Sequence, residues 1–367
     1  MLKTVKMFYK SAQINKNKLS FFGYYSTYLW RDRNIEVMKI AIVRLSALGD
    51  IAQSLLGAWQ IKQNFKSTHI TWFVEASFAD LIKLCPFVDE VVALELKALK
   101  KNFSISHLKK ELQKLQNKSF DYIVDMQGLL KSAVIARFLG KKTYGFSKIG
   151  LREKIARFFY SQKISSPYEK NVLLRYQDLI NGVFDLNFSP KDLENSPPFL
   201  VSNFQNLGEL FSETKKNVVF CVGASWQSKI YPAQKLAKII QDLEANCILV
   251  WGSEKEKAAA WQIQKIAPKA KLAPKLSLEN LVGFLSKASL VIGGDTGPVH
   301  IAWALNQPTI FIFGPTPSQR NAFADKNTII IDSGKKINPL KLDKNDFCIK
   351  NINEEKIIRA ANEILAR

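Results

Sequence analysis

The sequence predicts an α/β protein with two doubly wound, Rossmann-like parallel sheets in series. Three observations carry this. From Met38 onward, short apolar runs alternate with longer stretches of helical period, the signature of repeated βα units. The loop from Ser189-Pro190 to Pro197-Pro198 interrupts that alternation, which then restarts near residue 217. At 367 residues the chain is long for one average domain and short for three.

Residues 1–37 differ from the rest, with scattered lysines and an aromatic stretch Phe21-Phe22-Gly23-Tyr24-Tyr25. We read them as a poorly ordered N-terminal extension, either upstream of the true start or a basic, aromatic arm suited to a membrane interface. The first domain, 38–186, begins abruptly at Met38. Its expected order is strand 39–45, helix 50–64, strand 69–74, helix 77–84, strand 90–94, helix 104–117, strand 120–125 and helix 129–138. A helix-rich stretch from about 151 to 186 closes it. Prolines and polar residues mark 187–200 as a linker. The second domain, 201–350, repeats the pattern: strand 217–222, helix 232–244, strand 247–251, helix 253–266, helix 277–287, strand 289–292, helix 298–305 and strand 308–313. A C-terminal helix in 351–367 is expected to pack back on the first domain.

Composition narrows the class. Hydrophobic residues make 47% and charged residues 23%, the balance of a soluble globular chain, and no apolar run approaches the roughly 18 residues of a membrane span. No secretory signal is legible, so a cytoplasmic setting is expected. Cys85, Cys221, Cys247 and Cys348 form no C-x-x-C pair, and His69, His107 and His300 are too few for a histidine-rich centre, so no metal site is expected. The net charge of +21 implies anionic partners. Charge alone does not choose among nucleic acid, membrane and acidic substrate, and a generally basic proteome would produce it too. The basic residues are dispersed, and no nucleic-acid signature accompanies them.

In an open parallel sheet, ligands bind at the carboxyl ends of the strands. Five loops there carry candidate chemistry. Ser46-Ala47-Leu48-Gly49-Asp50 places a carboxylate at a helix start, either a plain cap or a general base. Asp125-Met126-Gln127-Gly128-Leu129-Leu130-Lys131-Ser132 is a polar turn at the same edge, either solvated or lining an acceptor site through Gln127 and Lys131. Ser225 and Lys229, in a small-residue loop before a helix, offer a hydroxyl and a mobile cation to a leaving diphosphate. Trp251-Gly252-Ser253-Glu254-Lys255-Glu256 offers a carboxylate to ribose hydroxyls, or is simply a charged first turn. Gly293-Gly294-Asp295-Thr296-Gly297-Pro298-Val299-His300 joins a buried strand to a helix, whose free N–H groups and positive end suit a phosphate. The bland alternative is a tight turn.

These loops, with Val43-Arg44-Leu45, Trp72-Phe73-Val74-Glu75, Lys229-Ile230-Tyr231-Pro232 and Phe313-Gly314-Pro315-Thr316, resemble the bacterial lipopolysaccharide heptosyltransferases from Met38 to about the C-terminus. The resemblance implies the GT-B fold, two such domains facing across a cleft, and an inverting, metal-independent transferase. It implies no cofactor: ADP-heptose is a co-substrate, and the acceptor is Kdo-lipid A at the anionic inner face of the cytoplasmic membrane. A monomer is expected. The Asp125–Ser132 segment resembles the members that add the first heptose to Kdo. Carried over by motif, Asp50 becomes the base, assisted by Lys229. Ser225, Lys229, Thr296, Gly297 and His300 hold the diphosphate, Glu256 the ribose, and Asp295 supports the donor heptose. Ser46, Gly49, Gln127, Lys131, Lys97, Lys100 and Lys101 face the acceptor. Ala224-Ser225 stands where family members often have paired threonines, and the three lysines occupy a region that is arginine-rich in relatives, where a lysine attracts an anion without a bidentate fork. The alternatives are a later-acting heptosyltransferase, a transferase of another nucleotide sugar, or a basic nucleic-acid-binding module.

Overall fold

The computed structural model describes residues 37–116, 118–202 and 210–367, so the expectation for the N-terminal extension lies outside the described residues. The first lobe runs β1 (Met38–Val43), α1 (Leu48–Asn64), β2 (Thr68–Glu75), α2 (Ala79–Lys83), β3 (Glu90–Leu94), α3 (Leu96–Lys101) and α4 (Ile105–Gln113). It continues with β4 (Tyr122–Asp125), α5 (Leu130–Leu139), β5 (Thr143–Phe146), a 3-10 helix Lys154–Phe159, β6 (Gln162–Ile164) and α6 (Val172–Phe184). A short helix α7 (Pro190–Glu194) lies in the connection. The second lobe runs β7 (Asn217–Cys221), α8 (Ala233–Asp242), β8 (Asn246–Val250), α9 (Glu254–Ile266), β9 (Lys271–Leu272) and α10 (Leu278–Leu285). It ends with β10 (Leu290–Gly294), α11 (Gly297–Ala304), β11 (Thr309–Phe313), α12 (Ser318–Asn321), β12 (Thr328–Asp332) and α13 (Glu354–Leu365).

Both sheets are parallel and share one topology. The first is ordered β3-β2-β1-β4-β5-β6 and the second β12-β11-β10-β7-β8-β9. In each, the order reverses between the first and fourth strands, where a crevice opens at the carboxyl ends. The strands flanking these switch points are buried on both faces: Ile40 to Val43 in β1 and Leu290 to Ile292 in β10 are fully inaccessible, which is why they read as unbroken apolar runs.

The structure corrects several expectations. Helix α1 starts at Leu48, so Asp50 sits inside its first turn and its carboxylate reaches back to the Ala47 N–H at 3.3 Å. The stretch from 151 is less helical than expected: its regular α-helix begins only at Val172, and β6 lies within it. Strands β5, β6 and β9 went unread because each spans four residues or fewer, and β12 at the sheet edge went unread although Ile329, Ile330 and Ile331 mark it. The linker is not a free polar loop. Phe199 is fully buried and its ring lies 6.0 Å from Trp59 in the first lobe and 5.7 Å from Trp303 in the second. Helix α13 packs on α8 and the second sheet rather than returning to the first lobe. Its apolar face, Ile357, Ile358, Ala361 and Ile364, joins the second-lobe core.

The lobes meet helix end to helix end. A Cβ built on Gly297 would lie 2.5 Å from Leu48 Cδ2, and one built on Gly49 would lie 2.6 Å from His300 Cδ2. No side chain fits at either place. Around this contact Gln53 Nε2 donates to the Asn321 carbonyl at 2.7 Å, and Asn171 Nδ2 donates to the carbonyls of Gln319 and Ala322 at 2.8 and 2.7 Å. Gly297→Val is therefore expected to destabilise the fold by about 1–3 kcal/mol through overpacking. Adding Leu48→Ala should recover part of the loss. Thermal unfolding of the two single variants and the double variant measures that coupling, and strictly additive effects would contradict it.

Candidate active site in the inter-lobe cleft

The first switch point is tied by side chains. Gln127 Oε1 accepts from Leu45 N–H at 2.9 Å, and Arg44 donates to the Met126 carbonyl at 2.9 Å, locking the β1 and β4 loops together. Asp125, fully buried, holds the second of these loops. Its Oδ1 accepts from the N–H groups of Gln127 and Gly128, and its Oδ2 accepts from Ser132 at 2.8 Å and Tyr160 at 2.6 Å. Burial raises its carboxyl above the ordinary range, with those hydrogen bonds working the other way.

Between these loops lies a cavity of about 250 Å³ lined by Arg44, Ser46, Asp50, Gln127, Arg152, Arg175 and Arg320, among others. It is smaller than the roughly 300–1,000 Å³ of drug-sized ligand sites, a size that suits one sugar residue. Asp50 Oδ2 takes both the Arg44 ion pair at 2.9 Å and the Ala47 N–H, leaving Oδ1 without a donor among the described residues. Arg175 is 5% exposed, donates to the Gly150 carbonyl, and keeps its Nε unpaired among the described residues. Arg320 arrives from the second lobe, donating from Nε to the Tyr168 carbonyl at 2.8 Å. The two guanidinium groups flank the Tyr168 ring at 5.0 and 4.2 Å. Burial, and then the like charge of Arg320, push Arg175 down to about 10. The buried guanidinium of Arg175 and the half-buried one of Arg320, both lining the cavity, suit an anion.

The second switch point carries Asp295. Its Oδ2 pairs with Lys229 Nζ at 2.9 Å and accepts from Asn321 Nδ2 at 3.2 Å, while Oδ1 meets His300 Nε2 at 2.9 Å. Burial alone would raise this carboxyl; Lys229 and His300 outweigh it and hold it far below the usual range. Thr296 occupies the N-cap position of α11, and its hydroxyl, like that of Ser228, is buried without a partner among the described residues. Such groups, with the free N–H groups of α11, suit a diphosphate. Glu256 serves its own helix by accepting from Gly252 and Ser253 N–H groups at 2.6 and 3.1 Å, while its carboxylate packs over Gly223 at the end of β7.

Placement of the remaining sequence-derived residues is uneven. Ser46, Gln127 and Lys131 cluster, since Ser46 Oγ accepts from both at 3.3 Å. Gly49 and Gly297 form the lobe contact. Ser225 is exposed in its loop. Lys97 binds Ser77 Oγ at 3.1 Å and lies over the Phe78 ring, near enough to Lys131 to lower it, although burial is the larger cause. Lys100 and Lys101 are exposed at the end of α3 and do not line the cavity. Asp295, expected to support the sugar directly, instead has its carboxylate taken by Lys229, His300 and Asn321. The sequence reading missed Arg175, Tyr168, Arg320 and Asn321. The last two follow the noted Phe313-Gly314-Pro315-Thr316 segment by a few residues, which was the available signal. Among the described residues, Glu95, His107 and Glu111 form one group with metal-compatible spacing. Glu111 is already committed to Lys114 at 2.7 Å and to Glu95 N–H at 2.9 Å.

Comparison with known proteins agrees with this geometry. The profile of glycosyltransferase family 9 (heptosyltransferase) matches residues 108–347. Lipopolysaccharide heptosyltransferase 1 of Campylobacter coli is 42% identical over 89% of this chain and 99% of its own length. The enzyme of the same name from Escherichia coli K12 is 25% identical over 76% of this chain and 88% of its own. The solved structure of E. coli heptosyltransferase WaaC with ADP superposes with a TM-score of 0.73 at 22% identity, covering 89% of this chain and all of that one.

The buried Lys229–Asp295 pair makes a stability prediction. Asp295→Ala leaves Lys229 without its counter-charge and is expected to cost about 3 kcal/mol. Because the folded carboxyl is depressed, its contribution is present above the unfolded value of about 4 and fades as pH falls below that. Denaturant unfolding of both proteins at pH 7 and at pH 3 should show the gap narrowing in acid. A gap that widens would contradict the assignment.

Proposed function

This chain belongs to glycosyltransferase family 9, the heptosyltransferases, and on that premise we propose that it transfers heptose from ADP-heptose to Kdo of the lipopolysaccharide inner core. The single observation that carries this reading is the meeting of the two switch points. The Asp50 turn of α1 abuts the N-terminus of α11, so a base on one lobe lies beside a diphosphate cradle on the other. The first-step assignment is supported by the Asp125–Ser132 segment and by the 42% identity to the C. coli enzyme.

In this reading the donor diphosphate lies on the N–H groups of α11 with the hydroxyls of Thr296 and Ser225 and the cation of Lys229, and Glu256 takes the ribose hydroxyls. Asp295 fixes the direction of Lys229 and His300. Kdo enters the cavity with its carboxylate toward Arg175 and Arg320, and with Gln127 and Lys131 at the opposite wall. Asp50 Oδ1 accepts the proton of the acceptor hydroxyl, whose oxygen attacks the anomeric carbon as the bond to the phosphate oxygen breaks. ADP departs with its charge held by Lys229 and the helix end. Attack opposite the leaving group inverts the anomeric centre, with no cofactor required. The acceptor is lipid-borne, so the enzyme works peripherally at the cytoplasmic face of the inner membrane. Family membership leaves no role for the nucleic-acid-binding alternative.

Asp50→Ala is expected to lower turnover by about 10²–10⁴-fold while ADP-heptose affinity, measured by calorimetry, stays nearly unchanged. Lys229→Ala should weaken both affinity and turnover. Radiolabelled or mass-resolved transfer from ADP-heptose to Kdo-lipid A reads the activity, and an Asp50→Ala enzyme with full turnover would remove Asp50 from the mechanism.

A further inference from the structure

The first lobe carries an exposed apolar face that the catalytic site does not use. Leu130, Val134 and Phe138 recur every four residues along α5 and so share one side of that helix. Phe138 is 64% exposed and Leu130 41%. Beside α5 packs the 3-10 helix Lys154–Phe159, on which Ile155 and Phe158 stand three residues apart and therefore on the same side. They are 60% and 72% exposed. Leu130 N–H donates to Glu153 Oε2 at 2.7 Å, pinning the two helices start to start.

The charge around this face is one-sided. From residue 126 to 168 there are nine basic residues, Lys131, Arg137, Lys141, Lys142, Lys148, Arg152, Lys154, Arg157 and Lys163, against one acid, Glu153. That acid is engaged by Leu130. Leu129, Gly150 and Arg152 line the cavity that holds Asp50, so the face continues from the wall of the acceptor site. Aromatic and aliphatic side chains ringed by lysine and arginine are what an anionic bilayer surface accepts: the apolar tips enter the acyl boundary while the cations meet headgroup phosphates.

We propose that the α5 face and the Lys154–Phe159 helix form the membrane-docking surface of this enzyme, seating it on anionic phospholipid with the acceptor cavity beside the bilayer. The proposal rests on the acceptor being lipid-borne. Docking would confine both enzyme and acceptor to one surface, and the first lobe would take the Kdo headgroup without extracting its lipid.

The test is co-sedimentation with vesicles of phosphatidylcholine alone and of phosphatidylcholine with phosphatidylglycerol. The unaltered protein should bind the anionic vesicles well and the neutral ones weakly. Ile155→Ser/Phe158→Ser should reduce binding to the anionic vesicles by about tenfold or more. Phe103→Ser/Ile105→Ser, which alters an equally exposed apolar pair outside this face, should leave it unchanged. All three proteins should transfer heptose equally to a water-soluble, delipidated Kdo acceptor. Equal vesicle binding by the unaltered and Ile155→Ser/Phe158→Ser proteins would overturn the proposal, as would equal losses in the two double variants. So would a dimer in solution that Ile155→Ser/Phe158→Ser dissociates without altering vesicle binding. Failure of the unaltered protein to use the soluble acceptor would overturn the functional reading instead, leaving vesicle binding to decide the surface.

Discussion

The close approach of α1 and α11 is the constraint on which the site depends. Two parallel sheets of identical topology each open a crevice at their own switch point, and neither crevice alone holds both a base and a phosphate cradle. Bringing them together requires two helix N-termini to touch, and backbone can come that close only where side chains are missing. Gly49 and Gly297 supply those two gaps, filled by His300 and Leu48 from the opposite lobe. The contact has an electrostatic consequence. Two positive helix ends converge on one region, and they are matched by Asp50 on one side and Asp295 on the other.

The two aspartates answer this field differently because their surroundings differ. Asp295 is buried, and three partners saturate its oxygens, so it serves as an anchor that sets Lys229 and His300 in place. Asp50 is half exposed and uses one oxygen for Arg44 and its own helix, leaving the other toward the cavity. A saturated carboxylate positions its neighbours, whereas a half-saturated one retains an acceptor for a substrate proton. The geometry thus sets apart a saturated anchor and a carboxylate with a free acceptor, which is the distinction the proposed function uses.

Much of this was legible before any coordinates. Strands flanking the switch points are buried on both faces and so read as apolar runs, and the loops after them carry glycine and carboxylate in recognisable order. Asp50, Lys229 and Thr296 were singled out that way and His300 by the resemblance, and the structure brings Lys229 and His300 onto Asp295. Strands β5 and β6 were not, because each spans four residues or fewer, too short for an alternating or apolar run to show, even though β5 is buried throughout. Arg175 escaped for another reason. It lies in the first turn of an amphipathic helix, where an arginine is ordinarily solvated, and only the tertiary packing of Phe146 and Tyr168 against it makes it a buried cation. Lys100 and Lys101 came from the resemblance alone, and the fold leaves them in solvent at the end of α3, outside the cavity lining.

Arg320 and Asn321 connect the two halves of the site. Asn321 donates to Asp295 in the donor region at 3.2 Å, and its Oδ1 accepts from Arg320, whose guanidinium stacks on Tyr168 in the first lobe. Its backbone carbonyl accepts from Gln53, near the start of α1. One short helix of the second lobe therefore contributes to the donor anchor, the acceptor cavity and the lobe contact through consecutive residues. A change in the distance between lobes would strain all three sets of hydrogen bonds together. The anion receptor in the cavity is consequently complete only when the lobes are in the arrangement that also brings Asp50 beside the diphosphate cradle. On the proposed function, acceptor recognition and assembly of the reacting groups are one structural event, and proton transfer at Asp50 is restricted to a site already closed around its sugar.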